Sequence, residues 1–333
     1  MASTRGLVLV TGANGFIGAR VVEAFLAANY SVRAASGAKT QPTLVPDITS
    51  PGAFDNAVHG VKAIAHLATP VDFSNTNVDY VIGSAVQGTV GILQSAMKEP
   101  SVESFVYMSS IVAVRGRGSQ WEGRGVTEKD WNTEAEETLA KSGSNVTGHQ
   151  IYGVSKVKAE RAFWDFREKN AGKIKFSMTA VNPVWVAGPP LIMPEDPEKL
   201  SDTAIIAYRI MNSEDVPPVG PGNGTHVDVR DVARMILFAV QNKQVADGER
   251  FIAGGNGNFA NVQAYRDLLR KHYPGRSDII GEGEPGKGYL PDYSEPADAR
   301  RVDASKAAKA TGQGWIPFDK TILDAAKAYE RYF

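Results

Sequence analysis

In LVLVTGANGFIGARVVEAFLAANYSVRAAS, four apolar residues (7–10) run through Thr11 into three glycines at Gly12, Gly15 and Gly18. No other feature constrains the fold of this chain as strongly. A helical period follows over residues 16–28, and then a second apolar strand over 31–35. Glycine at position 12 permits a tight turn out of the strand. At 15 it lets backbone approach a ligand with no side chain between, and at 18 it lets helix and strand pack closely. The N–H groups opening the helix face the same ligand, and the helix dipole favours an anion there. Strand, glycines, helix and second strand arrive in the order that a dinucleotide pyrophosphate needs. Gly12, Asn14, Gly15, Phe16, Ile17 and Gly18 are therefore the candidate cofactor-binding residues.

Short apolar runs continue to alternate with longer stretches of helical period: 63–67 with 78–98, 105–108, then 151–169 with 176–181. This pattern predicts an α/β fold, a Rossmann-type doubly wound parallel sheet. With 333 residues, 43% of them hydrophobic, the chain is long enough for about two domains. Gly- and Pro-rich interruptions at 188–197, 217–224 and 281–288 break up the second half. The expected division is a dinucleotide-binding domain over 1–183, to which 226–254 returns as strand and helix, and a smaller substrate-binding domain over 184–225 and 255–333.

Lys and Arg total 36 against 37 for Asp and Glu, so there is no field to attract nucleic acid or an anionic membrane. No apolar run approaches the roughly 20 residues of a membrane span, and the N-terminus meets the first strand too soon for a signal peptide. The absence of cysteine excludes disulfides and thiolate catalysis and fits a reducing cytoplasm. Five scattered histidines, with no ligand spacing, argue against a metal.

A second constellation lies in IYGVSKVKAERAFWDF. Tyr152 and Lys156 are four apart on a helix and so project from one face. A free phenol titrates near pH 10, and a neighbouring cation would lower that value. With eleven tyrosines in the chain, the spacing alone is weak. A partner is available in FVYMSSIVAV, where Ser109 and Ser110 follow a buried strand. Ligands of open α/β sheets bind outside the carboxyl ends of the strands, although serines there also serve as turn formers.

Together these residues resemble the extended short-chain dehydrogenases/reductases over nearly the whole chain. The family's Thr-Gly-x-x-Gly-x-x-Gly is Thr11 to Gly18, its Tyr-x-x-x-Lys is Tyr152 to Lys156, and its active-site serine falls on Ser110. Within the family the chain is similar to the branch of dihydroflavonol reductases, cinnamoyl-CoA reductases and yeast-type aldehyde and ketone reductases. The matching stretches include NYSVRA, PDITSPGAFDNAV, HLATPVDF, YGVSKVKAE and VNPVWVAGP. The resemblance implies that Asp47 and Ile48 border the adenine, that Leu67, Ala68 and Thr69 border the cofactor's central part, and that Pro183 and Val184 border the nicotinamide. It further implies reduction of a carbonyl, with Ser110 and Tyr152 on its oxygen, Tyr152 donating the proton, and Lys156 lowering the tyrosine pKa while holding the nicotinamide ribose. Sugar-nucleotide epimerases and dehydratases, the main rival, share the glycines and the Tyr/Lys pair, but the dehydratases place acidic residues directly after the serine, where this chain has Ile111, Val112 and Ala113. A dinucleotide-sensing regulator, the other rival, would have no use for Ser110, Tyr152 and Lys156 together.

No acid occurs between Tyr30 and Asp47 to bind the ribose 2'-OH of NAD, which favours NADP(H) while leaving NAD(H) usable. The branch's second arginine is replaced by Gly37, which leaves Arg33, Ser36 and Lys39 as candidate 2'-phosphate contacts. For the substrate, Phe73, Val112 and Trp185 are candidate walls of an apolar pocket suited to a small uncharged aldehyde or ketone. Trp121 and Trp131 read as core or pocket. His149 reads as a capping or solvated residue before Tyr152, and Asp231, in HVDVRD, reads as a helix cap. The expected assembly is a monomer or homodimer.

Overall fold

The structure, a computed structural model, describes residues 4–36, 43–45, 47–69, 76–116, 125–142, 146–212, 224–255, 259–294, 296 and 302–333. Lys39, Phe73, Trp121 and Gly37 lie outside these residues, as does the side chain of Ser36. In chain order the elements begin β1 (Leu7–Thr11), α1 (Phe16–Ala27), β2 (Ser31–Ser36), β3 (Thr43–Leu44), α2 (Asp55–Val58), β4 (Ala63–His66), α3 (Val78–Lys98) and β5 (Ser104–Met108). They continue with α4 (Thr133–Ser142), α5 (Gly148–Lys169), β6 (Ser177–Pro183), β7 (Trp185–Ala187), α6 (Ile205–Met211), β8 (Gly224–Asp228), α7 (Val229–Gln241), α8 (Lys243–Ala246) and β9 (Arg250–Ala253). The last are β10 (Phe259–Ala260), α9 (Val262–His272), α10 (Ser305–Thr311) and α11 (Phe318–Tyr329).

Two compact units divide the chain. The first comprises Met1–Gly116, Glu128–Asn182 and Arg234–Phe251. Its sheet runs β3-β2-β1-β4-β5-β6-β9, with parallel pairing from β3 through β6. All residues of β4 and β6 are buried, as expected of parallel strands covered on both faces by crossover helices. Strand order reverses between the neighbours β1 and β4, the position at which open α/β sheets bind ligands. The core joins Leu9, Ile64, Phe105 and Met178 of the strands to Ile92 and Leu93 of α3 and Phe163 of α5. Two local devices start the long helices: Asn77 accepts from the Tyr80 N–H at 3.0 Å, and Thr147 with Gln150 forms a capping box ahead of α5.

The second unit comprises Arg117–Thr127, Pro183–Ala233 and Ile252–Phe333. Here β8 pairs in parallel with β7 and antiparallel with β10, around a core of Ile205, Ile210, Leu268, Phe318 and Ile322. The strand within 226–254 that rejoins the large sheet is thus β9, whereas β8 stays in this smaller sheet because Trp185 to Ala187 offer it a parallel partner. Asp231 lies in the first turn of α7 and accepts from the Ile316 N–H at 2.7 Å, and Asp228, just before the helix, accepts from the Arg230 N–H at 2.8 Å. Among the described residues, no helix is long and apolar enough to cross a membrane.

Candidate active site

At the end of β1, Gly12 adopts φ +68°, a left-handed conformation that side chains rarely take. Its N–H donates to Ala35 O at 2.9 Å, and Gly15 N–H donates to Gly12 O at 3.0 Å, closing the turn. A Cβ on Gly18 would lie 2.0 Å from Gly12 O, so α1 can pack onto the loop only through glycine. Gly15 is different. A Cβ there would meet Gly12 O at 3.3 Å and otherwise open space, directly before a helix start that has no side-chain cap. The first-turn N–H groups of α1 have no intrahelical acceptor. The loop is therefore a cradle that a side chain at 15 would fill, lined by donors suited to an anion. These residues fit a dinucleotide pyrophosphate.

Thr11 joins this loop to the end of β4. Its hydroxyl accepts from the N–H groups of both Leu67 and Ala68 at 3.0 Å. With both lone pairs used, it donates to His66 Nδ1 at 2.8 Å. His66 is accordingly neutral, and burial together with the Lys156 charge pushes its pKa down to about 3. One residue on, Thr69 Oγ1 accepts from Lys156 Nζ at 3.0 Å, and the same ammonium donates to Met108 O at 3.3 Å. Lys156 is 2% exposed, and burial lowers it to about 8.

Ser110 opens a single turn of 3-10 helix, its hydroxyl accepting from the Val112 N–H at 3.3 Å, and it is hydrogen-bonded to the Tyr152 side chain. The phenol is raised above its ordinary value by burial, with the Ser110 hydrogen bond as the opposing influence. The expected lowering by Lys156 is not what this arrangement gives. The ammonium stands 5.9 Å from the Tyr152 ring centre and directs its hydrogen bonds to Thr69 and Met108. Tyr152 is thus held protonated at neutral pH, as a proton donor must be.

Contacts therefore run unbroken from the glycine loop through Thr11, Ala68, Thr69 and Lys156 to Met108, Ser110 and Tyr152. The other expected residues make contacts of their own. Arg33 donates to the carbonyls of Ala57 (2.8 Å) and His59 (2.6 Å). Asp47 turns its carboxylate onto Thr49 N, Thr49 Oγ1 and Ser50 Oγ, which hold it below the usual carboxylate range. Ile48 packs against Gly88 of α3, where a Cβ would lie 2.9 Å from Ile48 Cδ1. His149 is exposed, and Thr147 is the cap. The Trp131 ring lies beneath the guanidinium of Arg250, 4.0 Å from its centre. In the second unit, Val184 N–H donates to Ala253 O at 3.0 Å, and Trp185 packs partly buried against that unit's core.

Sequence reasoning left unread the groups that hold the site: His66, the Met108 carbonyl, Glu160, Asn182 and Arg250. Glu160 had a visible signal, since it continues the Tyr152–Lys156 stripe by four more residues. Among the described residues, no three of His, Asp and Glu gather in a way that could hold a metal ion.

The model of the NAD dependent epimerase/dehydratase family matches residues 8–254. The chain is 30% identical to the NADPH-dependent methylglyoxal reductase GRE2 of Saccharomyces cerevisiae, over 96% of each chain. It is 36% identical to aldehyde reductase 2 of Sporidiobolus salmonicolor, over 96% of this chain and 94% of that one. The crystal structure of yeast methylglyoxal/isovaleraldehyde reductase Gre2 complexed with NADPH superposes with a TM-score of 0.85 at 28% identity, covering 98% of both chains.

Proposed function

The chain belongs to the NAD dependent epimerase/dehydratase family, and from that premise we propose that it is an NADPH-dependent reductase of small aldehydes or ketones. The observation that carries this reading is the continuous line from the glycine cradle to the Ser110–Tyr152 pair. It puts a dinucleotide site and a poised proton donor in one place. Relatives that match nearly end to end and are named for methylglyoxal and aldehyde reduction support the same chemistry. Dehydration would need a further acid beside Ser110, where Ile111 and Val112 stand.

Gly12, Asn14, Gly15, Phe16, Ile17 and Gly18 would hold the pyrophosphate, and Leu67, Ala68 and Thr69 would line the central part of the cofactor. Bound there, NADPH supplies the hydride that reduces the carbonyl carbon. Ser110 Oγ and the Tyr152 hydroxyl hold the carbonyl oxygen, and Tyr152 passes its proton to that oxygen as negative charge develops. Lys156 holds Thr69 and Met108 in place through its hydrogen bonds to them. On the family resemblance alone, Pro183 and Val184 are proposed to border the nicotinamide, and Phe73, Val112 and Trp185 to contact the substrate. We place the reaction in the cytosol, on a monomer or homodimer.

The preference for NADPH rests on the acid-free stretch after β2 and on Lys39 and Ser36. Arg33 stays a candidate contact beside them, held in place by Nη1 on the carbonyls of Ala57 and His59. One charge-assisted contact to the 2'-phosphate makes NADPH better than NADH by about tenfold to a hundredfold in kcat/KM. Steady-state assays on a small aldehyde with each cofactor check this. Equal or better use of NADH would overturn the preference, and no reduction of any carbonyl with either cofactor would overturn the reading itself.

A further inference from the structure

The stripe that carries Tyr152 and Lys156 on α5 goes on to Glu160, which is 0% exposed. Its carboxylate accepts from Ser109 Oγ at 2.6 Å, Asn182 Nδ2 at 2.7 Å, Arg250 Nε at 2.6 Å and Trp164 Nε1 at 3.4 Å. A buried charge on this scale is tolerated only when its acceptor positions are filled. What the carboxylate secures is the strand end that bears Ser110. Three consecutive residues are tied down there: Met108 by its carbonyl to Lys156, Ser109 by its hydroxyl to Glu160, and Ser110 by its carbonyl to Asn182 Nδ2 at 3.2 Å. The Asn182 amide that holds Ser110 is itself held by Glu160.

Glu160 also acts on the ammonium one turn before it. Among the described residues, the titratable groups around Lys156 are His66 on β4, Tyr107 on β5, and Tyr152 and Glu160 on α5. Burial lowers Lys156, and Glu160 is the influence that raises it. Arg250, the cation paired with Glu160, is itself anchored on Glu128 O and Asp130 O at 2.7 Å and over Trp131.

We propose that Glu160 is a positioning residue for the reacting groups: it sets Ser110 against Tyr152 through Ser109 and Asn182, and it supplies the counter-charge that keeps Lys156 an ammonium in a buried site. The proposal rests on Ser110, Tyr152 and Lys156 being the reacting constellation, so its test has one arm that needs no turnover.

In that arm, the Lys156 ammonium is titrated by NMR in protein labelled with 15N-lysine, the signal being assigned through Lys156→Arg. The wild-type midpoint is expected at about 8. Glu160→Gln moves it down by about one unit or more, as loss of a nearby opposite charge requires, whereas Glu160→Asp leaves it near the wild-type value. In the second arm, Glu160→Gln lowers kcat for aldehyde reduction by about tenfold to a hundredfold, through misplacement of Ser110. KM changes little, and the alkaline limb of the pH profile moves down with the Lys156 midpoint. Because Glu160→Gln removes the carboxylate to which Arg250 Nε donates, the double variant Glu160→Gln/Arg250→Met tests the same shift without that cation. Arg250 is not among the influences on Lys156, so the same downward shift is expected there. An unmoved Lys156 midpoint in a folded Glu160→Gln or double variant overturns the proposal whether or not the protein reduces carbonyls. A moved midpoint with an unchanged kcat overturns the positioning of Ser110.

Discussion

Tyr152→Phe is expected to lower kcat for aldehyde reduction by about two to four orders of magnitude while NADPH still binds. The substitution removes one oxygen and keeps the ring, so packing around α5 is retained. The proton is lost, and so is the hydrogen bond to Ser110. Burial holds the phenol above its ordinary value, so at neutral pH wild-type Tyr152 carries the proton that the proposed reaction requires of it. Lys156 does not replace it, since the ammonium is directed to Thr69 and Met108. Measured separately, NADPH affinity should stay within a few-fold of wild type. Turnover close to wild type in Tyr152→Phe would remove the tyrosine from the reaction.

The second large effect separates two glycines that look alike in the sequence. Gly18→Ala puts a methyl group 2.0 Å from Gly12 O, a backbone atom with no freedom to withdraw. It is expected to destabilise the protein by about 3 kcal/mol or more, at the upper end of the usual cost of overpacking. Gly15→Val introduces a larger group but meets little protein: the Cβ faces Gly12 O at 3.3 Å and then open space. At φ −79° and ψ 170° the backbone there also accepts a branched side chain. Stability is expected to hold, while NADPH affinity falls about a hundredfold or more, equivalent to about 2.7 kcal/mol, because the side chain occupies the pyrophosphate cradle. Thermal unfolding and cofactor titration of both variants check the contrast. A stable Gly18→Ala, or a Gly15→Val with normal NADPH affinity, would contradict this account of the loop.

Features that depend on local spacing were legible in the sequence. The glycines report a turn, a cradle and a packing point within eight residues, and Tyr152 and Lys156 report a helix face within five. The parallel sheet followed from the alternation of short apolar runs with helical periods. Less was legible where a side chain's partner lies far along the chain. Glu160 meets Ser109, Asn182 and Arg250 from three different elements, and Arg250 is 90 positions away. Arg33 reads as a phosphate ligand in the sequence, which does not reveal that its Nη1 also reaches the carbonyls of Ala57 and His59. The effect of Lys156 on the phenol, inferred from spacing alone, gave way to burial once the ammonium's acceptors were known. Helix α4, TEAEETLAKS, has too few apolar residues to mark a buried face, so the sequence pattern does not reveal it. Strand pattern specifies neither partner nor sheet, so it does not show that β8 pairs in the smaller sheet.

The central claim is hydride transfer to a carbonyl carbon, and its most direct measurement is the fate of deuterium from NADPH labelled at nicotinamide C4. The protein is incubated with the labelled cofactor and a small aldehyde, and the product is analysed by mass spectrometry and NMR. The account predicts one alcohol formed per NADPH oxidised, with deuterium at the carbinol carbon when the transferred face is the labelled one and at no other carbon. Recovery of unoxidised NADPH and unreduced aldehyde across a panel of carbonyl compounds, from protein that binds the cofactor, would contradict it.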